Sequence, residues 1–477
     1  MTAERAAKSS GTVEAGFFRF KKLDGKYLIT NDVGKHEFLT AGQFDDLVNG
    51  RLRKDEVIYL PLREKGFIRG EENVKGLAAG FLRKHLYLKS GPTLHIVVAT
   101  MRCNFRCLYC QTSALDPGRK DLDMSEETAR KVVDMIFQSP SEHLFLEFQG
   151  GEPLLNWSVV QFIVEYALEK QQATGKNLYI TLVTNGSLLT DRRLNYLVEK
   201  KVALCISLDG HEAVHNHNRG ANHGKVVKAL RKATREYGKR YPMHMPGVLA
   251  TLTRFSLDYP REIIDEYVRL EQEGIYLRPV NPIGHARKTT GKWDYSMRRF
   301  LDFYREAVDY IIELNKQGRY LMERTAQIFL VKILTDDDPG FVDIRSPCGA
   351  ARGQLAYNYD GDVYTCDEGR MLAMLGDTSF RIGNVYSDTL TDVLNNGTAK
   401  AVCIASCLEG IPLCADCVYH PYCGVCPVLN YIDEGNIFSK IPTNDKHILF
   451  SGILDYLFTR MQEPETLKVF ESWVSAR

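Results

Sequence analysis

"LHIVVATMRCNFRCLYCQ", residues 94–111, runs an apolar stretch straight into a loop carrying Cys103, Cys107 and Cys110. The stretch 94–100, rich in valine and isoleucine, reads as a buried strand. The thiols follow at once, spaced C-x3-C-x2-C. Thiolates ligate iron-sulfur clusters, and three on one tight loop hold three irons of a four-iron cluster while the fourth stays open to an outside ligand. The alternatives are inert thiols and zinc, but a structural zinc takes four closed ligands.

Outward from this stretch, between Thr93 and about Leu334, the same kind of strand recurs. "LFLEFQGG", "LYITLVTNG", "ALCISLDG", "GVLATLT" and "IYLRPV" follow, with helical segments such as 125–137, 158–172 and 262–273 between them. Strand-helix alternation predicts a parallel sheet of α/β class, and six units predict a partial (β/α)6 TIM-like barrel rather than the full eight. In such barrels chemistry gathers where strands end. "MRCNFRC", "QGGEP", "TNGS" and "SLDG" all fall there.

The chain divides into a polar lead (1–16), a small unit (17–91), the barrel (92–338), a cysteine-rich unit (339–444) and C-terminal helices (445–477) given a structural role. In the small unit, "FFRFKKLDGKYLITND" predicts a hairpin on Asp24-Gly25, with helices near 40–49 and 55–66. That pattern is winged-helix-like. In the cysteine-rich unit, "LAYNYDGDVYTC" predicts a second hairpin, with Asp360-Gly361 as a type I′ pair.

With 477 residues the chain is long enough for roughly three folding units. Its net charge of +1 gives no broad basic footprint, so neither nucleic acid nor an anionic membrane surface is expected as a partner. The start, "MTAERAAKSSGTVEAG", lacks the apolar core of a signal peptide, and no apolar run approaches the ~18 residues of a membrane span. A cytoplasmic location is expected. In a reducing compartment, twelve cysteines point to metal or redox chemistry rather than a disulfide framework.

The cysteine loop, with Tyr109 before Cys110, resembles that of the radical S-adenosylmethionine (SAM) superfamily. In that family the open iron chelates SAM, and reduction of the cluster yields a 5′-deoxyadenosyl radical that takes a hydrogen atom from substrate. The resemblance implies roles for further residues. Gly150, Gly151 and Glu152 of "GGEP" correspond to the segment meeting the SAM amino group, with Glu152 balancing its charge. Asn185 and Ser207 correspond to the ribose-binding pair, and Arg219 to the arginine that pairs with the SAM carboxylate. His211, His215 and His217 lie on a polar loop without a ligand pattern, and Cys205 reads as a buried small hydrophobe.

Eight further thiols, from Cys348 to Cys426, fall within 80 residues. Cys348, Cys366, Cys414, Cys417, Cys423 and Cys426 resemble the SPASM extension of radical SAM enzymes that modify peptides, which holds two auxiliary clusters. The resemblance implies three [4Fe-4S] clusters in all, with Cys348, Cys366 and Cys426 on the first auxiliary one and Cys414, Cys417 and Cys423 on the second. The extension's usual final cysteine is missing. Cys407 is the first candidate for the second cluster's fourth ligand, with Cys403 and His447 behind it; the first cluster is left with an open iron or with Cys403. A zinc ribbon is the alternative for "CADC" and "CGVC". Asp367 occupies the position of a proposed general base in sulfatase-maturating relatives.

Stretches such as "YLITNDVGKHEFLT", "FQGGEPLLN" and "YNYDGDVY" look most like the His-Xaa-Ser-system radical SAM maturase family. That resemblance implies a precursor peptide whose leader is held by the N-terminal module as an added strand, and an electron donor such as flavodoxin or ferredoxin. It also implies closure of a cyclophane-type crosslink by net two-electron oxidation. The rival activities are formylglycine formation on a cysteine or serine, and non-catalytic iron-sulfur sensing. Arg278 and Tyr357 are open between pocket and packing. The modified residues, the oligomeric state and the reductant are not readable.

Overall fold

In the computed structural model, residues 13–475 are described, apart from 439 and 442. The expected lead, 1–16, thus lies mostly outside the described residues. Its described end is packed rather than loose: Val13 is buried in the N-terminal core, and Gly16 N–H donates to the Phe67 carbonyl at 2.8 Å.

The N-terminal module is an antiparallel sheet of β1 (Arg19–Leu23), β2 (Lys26–Thr30) and β3 (His36–Leu39). Asp24 and Gly25 both have positive φ, as a two-residue turn matched to strand twist requires. Helices Ala41–Val48 and Tyr59–Glu64 follow the expected pattern, while Glu71–Lys84 and Tyr87–Ser90 were not foreseen. Ile29, Leu39, Leu47, Leu62 and Phe67 form the module's core.

All six expected barrel strands form: β4 (Leu94–Thr100), β5 (His143–Gly150), β6 (Asn177–Thr184), β7 (Ala203–Ser207), β8 (Gly247–Leu252) and the "IYLRPV" stretch. The last breaks at Tyr276 into β9 (Gly274–Ile275), which pairs with β11 (Met322–Glu323), and β10 (Leu277–Pro279), which pairs with β8. Neighbours from β4 to β10 are parallel, and the helices between them include Glu126–Ile136, Trp157–Thr174 and Pro260–Arg269. This is the partial barrel.

The cysteine-rich unit is not separate from that sheet. β12 (Gln354–Tyr357) lies parallel beside β4, with Gln354 opposite Leu94 and Tyr357 opposite Val97, and β13 (Asp362–Tyr364) and β14 (Arg381–Asn384) extend the same sheet antiparallel to nine strands. Every residue of β12 is buried, so its apolar face completes the barrel wall and covers the β4 edge. The expected type I′ pair is also corrected. Only Gly361 has positive φ (87°), and its N–H donates to the Asn358 carbonyl at 3.0 Å, so the turn spans 358–361 with glycine closing it.

The C-terminal stretch forms two helices, Asp445–Arg460 and Pro464–Ser475, packed on Met297–Lys316 and Arg324–Leu334. Among the described residues no helix is long and apolar enough to cross a membrane.

Candidate active site

The strand ends of the barrel open on a cavity of about 540 Å³. Cys103, Cys107 and Cys110 line one side of it, Gly150, Gly151, Asn185, Ser207 and Arg219 the rim, and Asp367 and Glu368 the side formed by the cysteine-rich segment. Lys446, Leu449, Phe450 and Ile453 close it, so the first C-terminal helix is part of the site and not only structural.

The cysteine loop is clamped from below. Arg102 pairs through two nitrogens with Asp123, at 2.8 and 2.6 Å, and donates to the carbonyls of Pro117 and Leu155. The two glycines of "GGEP" let β5 meet this loop: a Cβ on Gly150 would stand 2.4 Å from the Thr100 carbonyl oxygen, and one on Gly151 2.0 Å from that of Arg102. No larger residue fits either place.

Each sulfur of the loop faces donors. Cys103 Sγ accepts from Phe105 N–H at 3.4 Å and has Asn185 Nδ2 at 3.9 Å; Cys107 Sγ has Arg219 Nη1 at 4.0 Å; Cys110 Sγ accepts from Ala114 N–H at 3.5 Å. Donors suit thiolates. Burial, by contrast, pushes the Cys103 thiol up to about 12 and the Cys107 thiol to about 11, and the neighbouring thiols add to both. A three-thiol loop in which Cys103 and Cys107 resist ionisation while every sulfur faces a donor fits a bound metal cluster, whose iron holds such thiols deprotonated.

Arg219 is aimed by a residue that the sequence reading passed over. Asp209, fully buried, accepts from Arg219 Nε at 3.0 Å, Tyr109 Oη at 2.7 Å, Asn218 Nδ2 at 3.2 Å and Thr251 N–H at 3.1 Å. Burial works against the Arg219 charge, and Asp209 together with Tyr109 and Cys107 more than offsets it. The signal was present: Asp209 belongs to "SLDG", of which only Ser207 had been given a role.

Glu152 stands just behind the rim of the cavity. It does not line the cavity; its carboxylate accepts from Leu154 N–H (3.1 Å), Thr184 Oγ1 (2.8 Å) and Asn185 N–H (2.8 Å). With those bonds it ties the end of β5 to the end of β6 and so positions Asn185, which donates to Asn104 Oδ1 at 2.9 Å. Cys205, read as a buried small hydrophobe, lines the cavity, and of the two residues left open Tyr357 is packed against His95 with a 3.0 Å hydrogen bond. Arg278 lines it too, near Glu147, whose carboxyl burial pushes above the usual range. His211, His215 and His217 stay outside it.

The cysteine-rich segment gathers its thiols in two places. Cys348, Cys366 and Cys426 share one buried cluster, and charge on Cys348 or Cys426 adds to the burial that raises the Cys366 thiol. Cys414 and Cys417 act likewise on Cys423, which burial takes to about 12. Ser406 Oγ accepts from Cys348 N–H at 2.9 Å, so the turn that carries Cys403 and Cys407 sits beside the first group. Among the described residues, no three Cys, His, Asp or Glu side chains close tightly enough to grip a single ion. The N-terminal module clasps the second group's loop: Arg19 Nε donates to the Ala415 carbonyl, Thr30 Oγ1 to that of Val418, and Tyr422 Oη to that of Gly34.

Comparison with known proteins agrees with this geometry. A family model of the radical SAM superfamily matches residues 97–250, and one of an iron-sulfur cluster-binding domain, SPASM, matches 348–418. The chain carries radical SAM and SPASM domains. Such domains imply [4Fe-4S] clusters, and AdoMet is bound in the solved structure of the neighbour anSMEcpe. The chain is 23% identical over 220 residues to the radical SAM cyclopropyl synthase TigE of Paramaledivibacter caminithermalis, covering 43% of this chain and 44% of TigE. It is similar in fold to anSMEcpe with bound AdoMet (TM-score 0.64, 18% identity, 80% of this chain and 98% of that one). It is also similar to Streptococcus suis SuiB bound to precursor peptide SuiA (TM-score 0.54, 13% identity, 91% and 99%). The chain spans about half the length of the curated relatives it matches, 44% of TigE and 56% of the cysteine-type anaerobic sulfatase-maturating enzyme of Clostridium perfringens.

Proposed function

We propose that this chain is a radical SAM enzyme that modifies a ribosomally made precursor peptide, abstracting hydrogen from a side-chain carbon and closing an intramolecular crosslink of cyclophane type. The observation that carries the reading is the shared cavity: the three-thiol loop and Asp367 line the same space of about 540 Å³. Fold neighbours support a peptide as substrate, since SuiB binds precursor peptide SuiA and anSMEcpe binds a Kp18Cys peptide. When bound, the clusters and SAM supply a carbon radical that removes a hydrogen atom, and an acceptor for the second electron of the oxidation.

The chain's own residues supply the rest. Cys103, Cys107 and Cys110 hold the SAM cluster; Cys348, Cys366 and Cys426, and Cys414, Cys417 and Cys423 with Cys407, hold the auxiliary two. Gly150, Gly151, Tyr109, Asn185, Ser207 and Arg219 orient SAM, and Glu152 positions Asn185. Asp367 takes the proton that leaves with the second electron. The fully buried Arg370 donates to its Oδ1 through Nε at 2.8 Å, with Nη2 of the same guanidinium 2.7 Å away as an ion pair, and leaves its other oxygen for substrate. The N-terminal sheet takes the leader on a strand edge, and a flavodoxin or ferredoxin supplies electrons.

The second reading, formylglycine formation on cysteine or serine, draws on the same Asp367. Anaerobic reconstitution, iron and sulfide counts, and addition of SAM with dithionite test the proposal. About twelve irons per chain and formation of 5′-deoxyadenosine are expected; no deoxyadenosine would hand the chain to the sensing role. With the precursor peptide, loss of two hydrogens without a hydrazine-reactive aldehyde is the crosslink's mark, and an aldehyde would select the rival.

A further inference from the structure

Arg219, Arg278 and Lys446 are the cations that line the cavity among the described residues. Two are committed: Arg219 pairs with Asp209 at 3.0 Å, and Lys446 with Asp343 at 2.6 Å. Arg278 has neither a hydrogen-bond acceptor nor an ion-pair partner among the described residues; its guanidinium carbon lies over the ring of Tyr276, 5.3 Å from the centroid. Glu147 shares the cavity, but its oxygens accept from Gln149 at 2.6 Å and Thr181 at 3.1 Å, and no ion pair joins it to Arg278.

The backbone sets Arg278 at the level of the strand ends. β10 pairs with β8 so that Arg278 stands opposite Thr251, whose N–H donates to Asp209, the residue that aims Arg219. On the next strand, Ser207 stands opposite Leu249, two residues before Thr251. The break at Tyr276 that separates β9 from β10 is fastened by the fully buried Glu323, whose carboxylate accepts from Leu277 N–H at 3.2 Å, Tyr304 Oη at 2.6 Å and Ala326 N–H at 2.7 Å. Tyr276, edge-on to Phe341, lines the cavity beside Arg278, and among the described residues its hydroxyl has no partner either. Burial pushes the Tyr276 phenol up to about 12, so it stays protonated and keeps a donor.

A guanidinium is a planar fork of N–H donors that takes a carboxylate through two of them. SAM brings one carboxylate, and Arg219 answers it in the proposed function. A second cation with its donors free calls for a second anion, which the peptide has to bring. We propose that Arg278, with Tyr276 beside it, is a specificity-determining residue that binds a carboxylate of the peptide at or next to the residue being modified. The inference rests on the proposed function and narrows its substrate class to peptides that present an acidic side chain or their C-terminal carboxylate to the cavity.

The test uses the full chain, reconstituted anaerobically and loaded with SAM but no reductant, and three N-acetylated peptides: Ala-Ala-Glu-Ala-Ala amide, its glutamine counterpart as the amide, and that counterpart with a free C-terminal carboxylate. Binding is followed by saturation-transfer NMR. The parent is expected to prefer one carboxylate peptide over the neutral amide by about tenfold or more, and which one it prefers identifies the source. That comparison needs no variant to fold. Arg278→Gln is expected to lose the preference, by weakening the carboxylate peptide and not the neutral one, and Arg278→Lys to keep part of it. A parent that holds all three peptides alike, or an Arg278→Gln protein that keeps the preference, overturns the assignment. So does an Arg278→Gln protein whose loss falls on SAM affinity with peptide preference intact, which would make the partner SAM. Failure of the parent to form 5′-deoxyadenosine once dithionite is added would overturn the proposed function instead.

Discussion

Replacing Asp209 by asparagine changes one atom type at a fully buried position and tests whether Arg219 is aimed as described. Asp209 Oδ1 accepts from Arg219 Nε and Thr251 N–H, and Oδ2 from Tyr109 Oη and Asn218 Nδ2. Neither oxygen can become an NH2 group without setting donor against donor. Arg219, 8% exposed, would be left as a buried cation without its partner. Breaking one side of a buried ion pair costs about 3–5 kcal/mol. Urea unfolding of the anaerobic protein should therefore show Asp209→Asn destabilised by that amount, and SAM titration by calorimetry a fall in affinity of about tenfold or more, since one lost aimed contact is worth at least about 1.4 kcal/mol. An asparagine variant within about 1 kcal/mol of the parent, with unchanged SAM affinity, would refute the positioning role.

Gly151→Ala puts a Cβ 2.0 Å from the Arg102 carbonyl oxygen, so the cysteine loop must move; roughly four irons per chain should be lost by colorimetric assay, and a full complement would show the loop to be tolerant. Asp367→Asn should still cleave SAM but form crosslinked peptide at least about tenfold more slowly, which mass spectrometry of the peptide would check; full turnover would remove Asp367 from the chemistry. His95 is held neutral by burial, its pKa lowered from 6.5 to about 3, so the folded state binds its proton less well than the unfolded state does. Stability should accordingly fall as pH drops from about 6.5 toward about 3, by up to about 1.4 kcal/mol per pH unit from this group, and His95→Gln should flatten that slope in urea titrations at several pH values.

The strands of the barrel were legible because parallel strands buried on both faces carry near-continuous apolar runs, as "HIVVA" and "LCISL" do. The cysteine loop was legible because all its ligands lie on one short segment. What escaped depends on pairings far apart in the chain. Nothing local in "QLAY" says that it will lie beside "LHIV", 260 residues earlier, and nothing local in Asp445–Arg460 says that Lys446 and Phe450 will face a cavity. The positioning bonds of Glu152 were hidden for a related reason: Thr184 and Asn185 come within reach of its carboxylate only once β6 lies beside β5.

The addition of β12 has a consequence for how the two halves of the site work together. The loop with Cys103, Cys107 and Cys110 leaves the end of β4; Cys348 precedes β12, and Cys366 follows β13. Since β12 lies directly against β4, the proposed radical-generating site and the proposed first auxiliary site hang from adjacent strands of one sheet, at opposite ends of that strand pair. A hinged pair of domains would let that separation vary. A shared sheet fixes it, because altering the spacing of the two sites would break the β4–β12 ladder and expose strand residues that are now fully buried, Leu355 and Val97 among them. The cavity between the sites is therefore a property of the sheet. Outside the sheet, the helix Asp445–Arg460 lines the cavity, and the N-terminal module ion-pairs with that helix through Lys21 and Asp455.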